Sequence, residues 1–144
     1  MREFEVKFEP TKTPHLDKVI FRTDRGFLVG YAGPSALIAG MFENDSNPAR
    51  QKLLRSLQAP TAWLDRIKVN REFRGKGFGT EILKQTLQVL RESGIRYVIL
   101  SPQADQADDI ERLDRFYKKF GFVDVREYEG ETLWNRLMML DLAT

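Results

Sequence analysis

The residues with the clearest chemical potential form a glycine-rich hexapeptide, Arg74-Gly75-Lys76-Gly77-Phe78-Gly79. A strand-like run precedes it, and an amphipathic helical pattern follows it at once. In the first turn of a helix the backbone N–H groups have no intrahelical acceptor, and the positive end of the helix dipole faces outward. Glycines let an anion approach closely because they carry no Cβ atom. The hexapeptide is therefore typical of a phosphate-binding turn. The simpler alternative is a tight strand-to-helix turn whose glycines only relieve steric crowding.

Two common phosphate-binding motifs do not fit this turn. A Walker A loop needs Gly-Lys followed by Ser or Thr, whereas Lys76 is followed by Gly77. The dinucleotide fingerprint needs the spacing G-x-G-x-x-G, and the three glycines here are spaced two apart. Residues 95–102, after the helical pattern, also contain no carboxylate that would bind a ribose. These exclusions leave a phosphate cradle of another design.

Composition removes several other kinds of site. The chain has no cysteine, which excludes disulfides, a thiol nucleophile and thiolate metal ligands. Its one histidine, His15, has no second histidine with which to form a metal site, so we predict no metal. No apolar run approaches the ~20 residues that span a bilayer, and the N-terminus shows no signal-like segment. We therefore predict a cytoplasmic protein with no membrane partner.

Length and charge set further expectations. The 144 residues, 42% hydrophobic and 31% charged, predict one globular domain over 1–144. The net charge of +2 lacks the strong basic bias of a dedicated nucleic-acid module, so no nucleic acid partner is expected. Basic residues do cluster over 66–76, around the glycine turn, and a solvated face is the usual explanation of such a run.

The elements that must position the hexapeptide are clearest in the C-terminal half. Apolar residues at helical spacing predict helices over Gly77–Ser93 and Asp109–Phe120. The predicted strands of this half are Trp63–Val69, Arg96–Leu100, Phe122–Tyr128 and Leu133–Leu140. This order gives a mixed α/β sheet with a parallel βαβ unit at its centre, in which a central strand leads through the glycine loop into a helix.

The N-terminal half is less definite. Alternation predicts a strand over Glu3–Glu9, and the Asp24-Arg25-Gly26 turn predicts a hairpin between strands Lys18–Thr23 and Phe27–Tyr31. The apolar run Ala36–Phe42 fits a strand or a short helix, and periodicity does not separate the two. Ala49–Leu57 has leucines at helical spacing and predicts a helix.

The hexapeptide and its surroundings resemble motif A of the GNAT superfamily of N-acetyltransferases. That motif reads Arg or Gln, two residues, Gly, one residue, then Gly or Ala, and Arg74, Gly77 and Gly79 occupy these positions. Downstream, Tyr117 stands four residues before the Gly121-Phe122 pair, which looks like the family's motif B. The resemblance covers about 63–122 and implies the GNAT acyl-CoA N-acyltransferase fold.

The resemblance implies acetyl-CoA as co-substrate, with its pyrophosphate over the glycine loop and its pantetheine arm paired with the central strand. Main-chain groups would supply most of that pairing, as in β-augmentation. After the next strand many members carry an Asn, whereas this chain has Ser101. The residues that the resemblance assigns to the cofactor are Ile67, Lys68, Val69, Arg74, Gly75, Lys76, Gly77, Phe78, Gly79, Thr80 and Ser101.

The implied reaction is direct attack of a primary amine on the thioester, without a covalent enzyme intermediate. By the same resemblance Tyr117 is the candidate general acid, although it also lies on the apolar stripe of its helix and would serve as a core residue. The general base is not determined by the sequence. Asp65 on the central strand ranks first, Glu43 and Glu111 are alternatives, and a surface ion pair is the simpler explanation for Asp65.

Other functions stay open at this point. A non-catalytic acyl-CoA-binding or regulatory module would use the same fold, and a nucleic-acid-binding domain would use the basic run over 66–76. The acceptor amine is unidentified, and the sequence leaves room for a homodimer.

Overall fold

A computed structural model of the chain describes residues 5–41, 48–73, 75–102, 107–125 and 137–143. The strands are β1 (Val6–Pro10), β2 (Asp17–Arg22), β3 (Gly26–Pro34), β4 (Pro60–Val69), β5 (Tyr97–Leu100), β6 (Val123–Asp124) and β7 (Met138–Asp141). The helices are α1 (Ser35–Gly40), α2 (Pro48–Ser56), α3 (Phe78–Glu92) and α4 (Ala107–Lys119), and a short 3₁₀ turn occupies Arg71–Phe73.

The strands form one mixed sheet in the order β1-β2-β3-β4-β5-β7-β6. Strands β4 and β5 pair in parallel, from Thr61 opposite Tyr97 to Leu64 opposite Leu100. The other neighbouring pairs of described strands are antiparallel. A parallel pair needs a crossover connection, which α3 supplies here. The predicted mixed sheet with a central βαβ unit is confirmed.

Helices cover both faces of the sheet. On one face the apolar stripe of α3, including Ile82 and Leu83, packs with Leu28 of β3 and Leu64 of β4 in a first core cluster. On the other face the short helices α1 and α2 bury residues such as Leu54 in a second cluster against Ile99 of β5. The position of the sheet between two apolar layers explains why its central strands are strongly buried.

A register shift in β4 changes which residues face the first cluster. Gly30 lies opposite Leu64 and Val29 lies opposite Arg66, so Asp65 is an extra residue in β4 with no partner in β3. Side chains alternate between the faces of a strand, and one inserted residue reverses that alternation. Leu64 before the shift and Ile67 after it therefore both contact the first cluster.

Most predicted elements are present, with shifted ends. The ambiguous run Ala36–Phe42 corresponds to helix α1, which begins directly after Pro34. Strand β3 continues past the predicted end at Tyr31, because it pairs with β4 as far as Pro60. The described part of the predicted strand Phe122–Tyr128 is only β6, and residues 126–136 lie outside the described residues.

Candidate active site

A cleft opens where β4 and β5 stop pairing. The ladder ends at Leu64 opposite Leu100, and β4 then continues alone on that side to Val69. Between Asp65 and Lys68, no described strand lies along the β5 side of β4. Such an edge offers main-chain donors and acceptors to an extended ligand. The cleft is lined by Leu64, Asp65, Arg66, Ile67, Leu100, Ser101 and Tyr117.

Tyr117 brings the aromatic end of α4 to this cleft. Its side chain is 7% exposed, and the rings of Phe116 and Phe122 meet it edge-on with centroids 5.2 Å and 5.8 Å away. Burial raises the pKa of Tyr117 to about 12, because the phenolate loses its hydration. Among the described residues its hydroxyl has no hydrogen-bond partner. The side chain is therefore a protonated donor at neutral pH.

Asp65 owes its position to the register shift of β4. It is the extra residue of the strand, and it lines the same cleft as Tyr117. Extra residues of this kind commonly redirect a side chain beside a functional site. A carboxylate and a phenol thus border one cleft from different elements.

The glycine loop sits beyond the end of β4, at the start of α3. Gly75 and Gly77 have φ values of +78° and +84°, in the left-handed region that favours glycine. Gly77 occupies the position before α3, and its carbonyl accepts the hydrogen bond of the Glu81 N–H at 3.1 Å. The N–H groups of Gly79 and Thr80 have no acceptor among the described residues, as expected in a first helical turn. The loop can therefore hold an anion with its main chain.

The β2–β3 hairpin supports this loop, a role that sequence reasoning missed. The Arg25 guanidinium carbon lies 4.5 Å from the ring centroid of Phe78 and 5.6 Å from that of Phe73, and these two rings meet edge-on. The Asn70 N–H donates to the Arg25 carbonyl at 2.7 Å, and the Asn70 side chain donates to the Asp24 carbonyl at 3.2 Å. The hairpin turn is thus fixed to both ends of the β4–α3 connector. Aromatic residues on either side of a glycine loop were the available signal.

The structure brings together only part of the predicted set. Asp65, Ile67, Ser101 and Tyr117 share the cleft. The predicted loop residues Gly75, Lys76, Gly77, Phe78, Gly79 and Thr80 follow at the end of β4.

Other predicted residues lie elsewhere or are not described. Lys68 and Val69 lie beyond the cleft, and the Val69 side chain instead lies against the start of α3, 3.4 Å from where a Cβ on Gly79 would be. Arg74 and Glu43 fall outside the described residues. Glu111 is exposed on α4.

The described residues also bear on membrane-spanning helices and on metal sites. Within those ranges no helix is long and apolar enough to cross a membrane. The same residues contain no group of three or more His, Asp or Glu side chains placed to hold a metal ion.

Comparisons with solved structures agree with this architecture. FeeM, an N-acyl amino acid synthase from uncultured soil microbes, aligns with a TM-score of 0.58 and 12% identity over 92% of this chain and 70% of FeeM. AtaTR bound with AcCoA aligns with a TM-score of 0.54 and 15% identity, over 90% of this chain and 69% of that one. A GNAT-family acetyltransferase from Staphylococcus aureus Mu50 aligns with a TM-score of 0.51 and 15% identity, over 89% of this chain and 68% of that one. At these identities the likeness is one of fold.

Comparison of the sequence with known families shows more than the fold. A search of curated proteins returned no match. The model of the acetyltransferase (GNAT) family matches residues 1–122, which include the open strand β4, the glycine loop and Tyr117. This chain therefore belongs to the acetyltransferase (GNAT) family and is an acetyl-CoA-dependent acyltransferase.

Proposed function

We propose that this protein transfers an acetyl group from acetyl-CoA to a primary amine by direct attack, with Tyr117 as the general acid. The observation that carries the proposal is the position of Tyr117. It is 7% exposed and has no hydrogen-bond partner among the described residues, and it lines a cleft along the unpaired edge of β4. A protonated phenol that lines this cleft is available to donate a proton to a bound substrate.

The main chain supplies the fit for acetyl-CoA. The left-handed glycines and the free N–H groups at the start of α3 suit a pyrophosphate, and the edge of β4 from Asp65 to Lys68 suits an extended pantetheine arm. In the proposal Lys76 and Arg74 add positive charge, and Ser101 replaces the family's Asn at the wall of the cleft. When bound, acetyl-CoA supplies an activated thioester whose carbon–sulfur bond is exchanged for a carbon–nitrogen bond.

The protein's own groups handle the charges of that exchange. A main-chain N–H of β4, within Ile67–Val69, polarises the acetyl carbonyl. Tyr117 gives its proton to the departing sulfur, and this transfer is feasible because its pKa of about 12 keeps it protonated at neutral pH. The neutral amine loses one N–H proton as the new carbon–nitrogen bond forms, and solvent returns a proton to the phenolate.

Asp65 is the proposed acceptor of the amine proton. The support is its place on the cleft wall, contributed by the extra residue of β4. An amine with a pKa near 10.4, like that of lysine, is mostly protonated at neutral pH, so a nearby carboxylate helps to deliver the neutral form. An Asp65→Asn variant should show a pH profile of kcat/KM that rises only as the free amine itself loses its proton.

The Tyr117→Phe variant tests the general acid. Removing the hydroxyl should lower kcat by about 10²- to 10⁴-fold, the usual contribution of acid–base catalysis. The dissociation constant of acetyl-CoA, measured by isothermal titration, should stay near the wild-type value because the main-chain contacts remain. Release of free thiol in the presence of an amine panel measures turnover.

The matched control is Tyr97→Phe, which removes a tyrosine hydroxyl on β5 outside the cleft. It should retain turnover. Full turnover of Tyr117→Phe would remove Tyr117 from the mechanism. Binding of acetyl-CoA without turnover over the whole panel would instead favour a non-catalytic module, and no binding at millimolar concentration would contradict the site as a whole.

The amine panel should span carriers of different kinds. It includes polyamines, aminoglycosides, amino acids, lysine peptides and peptide N-termini. It also includes an aminoacyl-tRNA, because one structural neighbour is AtaT complexed with acetyl-methionyl-tRNAfMet. A cytoplasmic location and a homodimer stay predictions, and cell fractionation and light scattering measure them.

A further inference from the structure

One face of the sheet carries exposed cations on β1, β2 and β4. Strand register places residues that lie opposite one another on the same face. Lys7, Ile20, Val29 and Arg66 form one such row across β1, β2, β3 and β4. Their chain neighbours, including Phe21 and Leu28, point into the first core cluster, so this row faces the opposite side of the sheet.

A second and a third row extend the same face. Arg22, Phe27 and Lys68 lie side by side across β2, β3 and β4. On the other flank, Lys18 lies opposite Tyr31, which packs in the second cluster beside α1 and α2. The resulting surface, which we call the basic face, contains Lys7, Lys18, Arg22, Phe27, Val29, Arg66 and Lys68.

The cations of the basic face are available to a ligand. Lys7, Arg22, Arg66 and Lys68 are exposed and Lys18 is partly exposed. No ion pair joins any of these five to a carboxylate of a described residue. Phe27 and Val29 are half-buried between them and leave an apolar strip at the centre.

Among the described residues, acidic side chains near this face lie at its outer edge and at Asp65, the chain neighbour of Arg66 on β4. Glu5 directly precedes β1, and Glu9 lies on β1 opposite Lys18. On β2 and β4 the charged residues that belong to the basic face are Lys18, Arg22, Arg66 and Lys68, all of them cations. Helix α2, which packs on the same side of the sheet, carries two further exposed cations, Lys52 and Arg55.

We propose that the basic face binds single-stranded nucleic acid. Lys and Arg side chains flanking an aromatic residue on an open sheet match the way such surfaces hold a strand, with phosphates on the cations and a base against the ring. An acidic polypeptide would satisfy the cations but would leave Phe27 without a planar partner. The proposal goes beyond acetyl transfer and does not depend on it, and Arg66, which also lines the cleft, is where the two surfaces meet. It also revises the expectation drawn from the net charge of +2, because that sum hides the segregation of charge by the fold.

Salt dependence provides the test. Binding of a fluorescent single-stranded RNA of about 12 nucleotides, a length within the usual site size, is followed by anisotropy over a range of KCl concentrations. On a single strand each neutralised phosphate contributes about 0.7 to the slope of log K against log salt concentration. The double variant Lys18→Ala/Arg22→Ala should lower that slope by about 1.4. Both residues lie on β2, away from the cleft, so turnover of a small amine should not change.

The matched control removes the same charge from the opposite side of the sheet. Lys84 on α3 and Lys119 on α4 are exposed, and the double variant Lys84→Ala/Lys119→Ala should keep the wild-type slope. Phe27→Leu should weaken binding without changing the slope, because it removes stacking but no charge. Parallel titrations with single-stranded DNA and with poly-glutamate distinguish RNA, DNA and acidic polypeptide as ligands.

Three results would overturn the proposal that the basic face binds single-stranded nucleic acid. Tighter binding of poly-glutamate than of either nucleic acid would overturn the proposal in favour of an acidic protein partner. Equal losses in the two double variants, or no binding at low salt, would also overturn it. None of these results bears on acetyl transfer, which the thiol-release assay measures separately.

Discussion

At the scale of single residues, Tyr117 shows how burial sets the chemistry of a side chain. No described charge or hydrogen bond acts on its hydroxyl, and loss of hydration alone raises its pKa to about 12. The same burial that keeps the phenol protonated for proton donation also ties its ionisation to folding.

Tyr117 should therefore make the protein less stable at alkaline pH. The unfolded chain releases the phenolic proton near pH 10, while the folded protein keeps it up to about pH 12. The contribution of protonated Tyr117 to the free energy of unfolding is fully present below pH 10 and is lost as the pH rises through 12. Two pKa units correspond to about 2–3 kcal/mol of unfolding free energy.

Urea unfolding at a series of pH values from 9 upward measures this loss, with Tyr117→Phe as the comparison. Relative to Tyr117→Phe, the wild-type protein should lose about 2–3 kcal/mol of unfolding free energy as the pH rises over this range. A constant difference would mean that Tyr117 ionises equally easily in the folded and unfolded states.

At the scale of elements, the β2–β3 hairpin holds the glycine loop in place. Arg25 stacks on Phe78, the first residue of α3, and on Phe73 of the 3₁₀ turn. Arg25→Ala should raise the KM for acetyl-CoA about tenfold, equivalent to about 1.4 kcal/mol, which is within the range of a partly desolvated cation–π contact. Since Arg25 lies outside the cleft, kcat should change little.

The substitution Arg25→Lys distinguishes this positioning role from general destabilisation. Lysine also interacts with aromatic rings, so Arg25→Lys should recover most of the affinity. Arg115→Ala removes an exposed arginine of α4 and serves as the control. A tenfold fall in the kcat of Arg25→Ala, with an unchanged KM for acetyl-CoA, would contradict the role of the hairpin as a support for the loop.

At the scale of the whole molecule, one sheet joins two core clusters. Leu83 belongs to the first cluster and is 0% exposed, and Leu54 belongs to the second and is 1% exposed. Each change to alanine should cost about 2–5 kcal/mol of unfolding free energy. Because both clusters share β4 and β5, each variant should still unfold in one transition.

Coincident urea curves from far-ultraviolet circular dichroism and tryptophan fluorescence would show that single transition. Val123→Ala, at a side chain 58% exposed, should leave the midpoint nearly unchanged. Separate transitions in either leucine variant would mean that the two faces of the sheet fold independently.

The sequence correctly predicted the features that depend on residues close together in the chain. The α3 stripe of Ile82, Leu83, Leu87 and Leu90 is buried as its helical spacing predicted, and the left-handed Gly77 stands directly before that helix. Local backbone preferences and periodic burial act over a few residues, so they can be read without the fold. The run Ala36–Phe42 was ambiguous because short apolar runs suit both structures.

By itself the sequence determined the family, the mixed sheet and the glycine loop at the start of a helix, since each depends on short motifs or on periodicity. The tertiary structure alone decided that β4 extends beyond its pairing with β5. It also decided that Asp65, the extra residue of β4, lines the same cleft as Tyr117. It also gathered the cations of the basic face from three strands, β1, β2 and β4. These features follow from register and strand length, which pairing between distant segments sets and which no local pattern in the chain encodes.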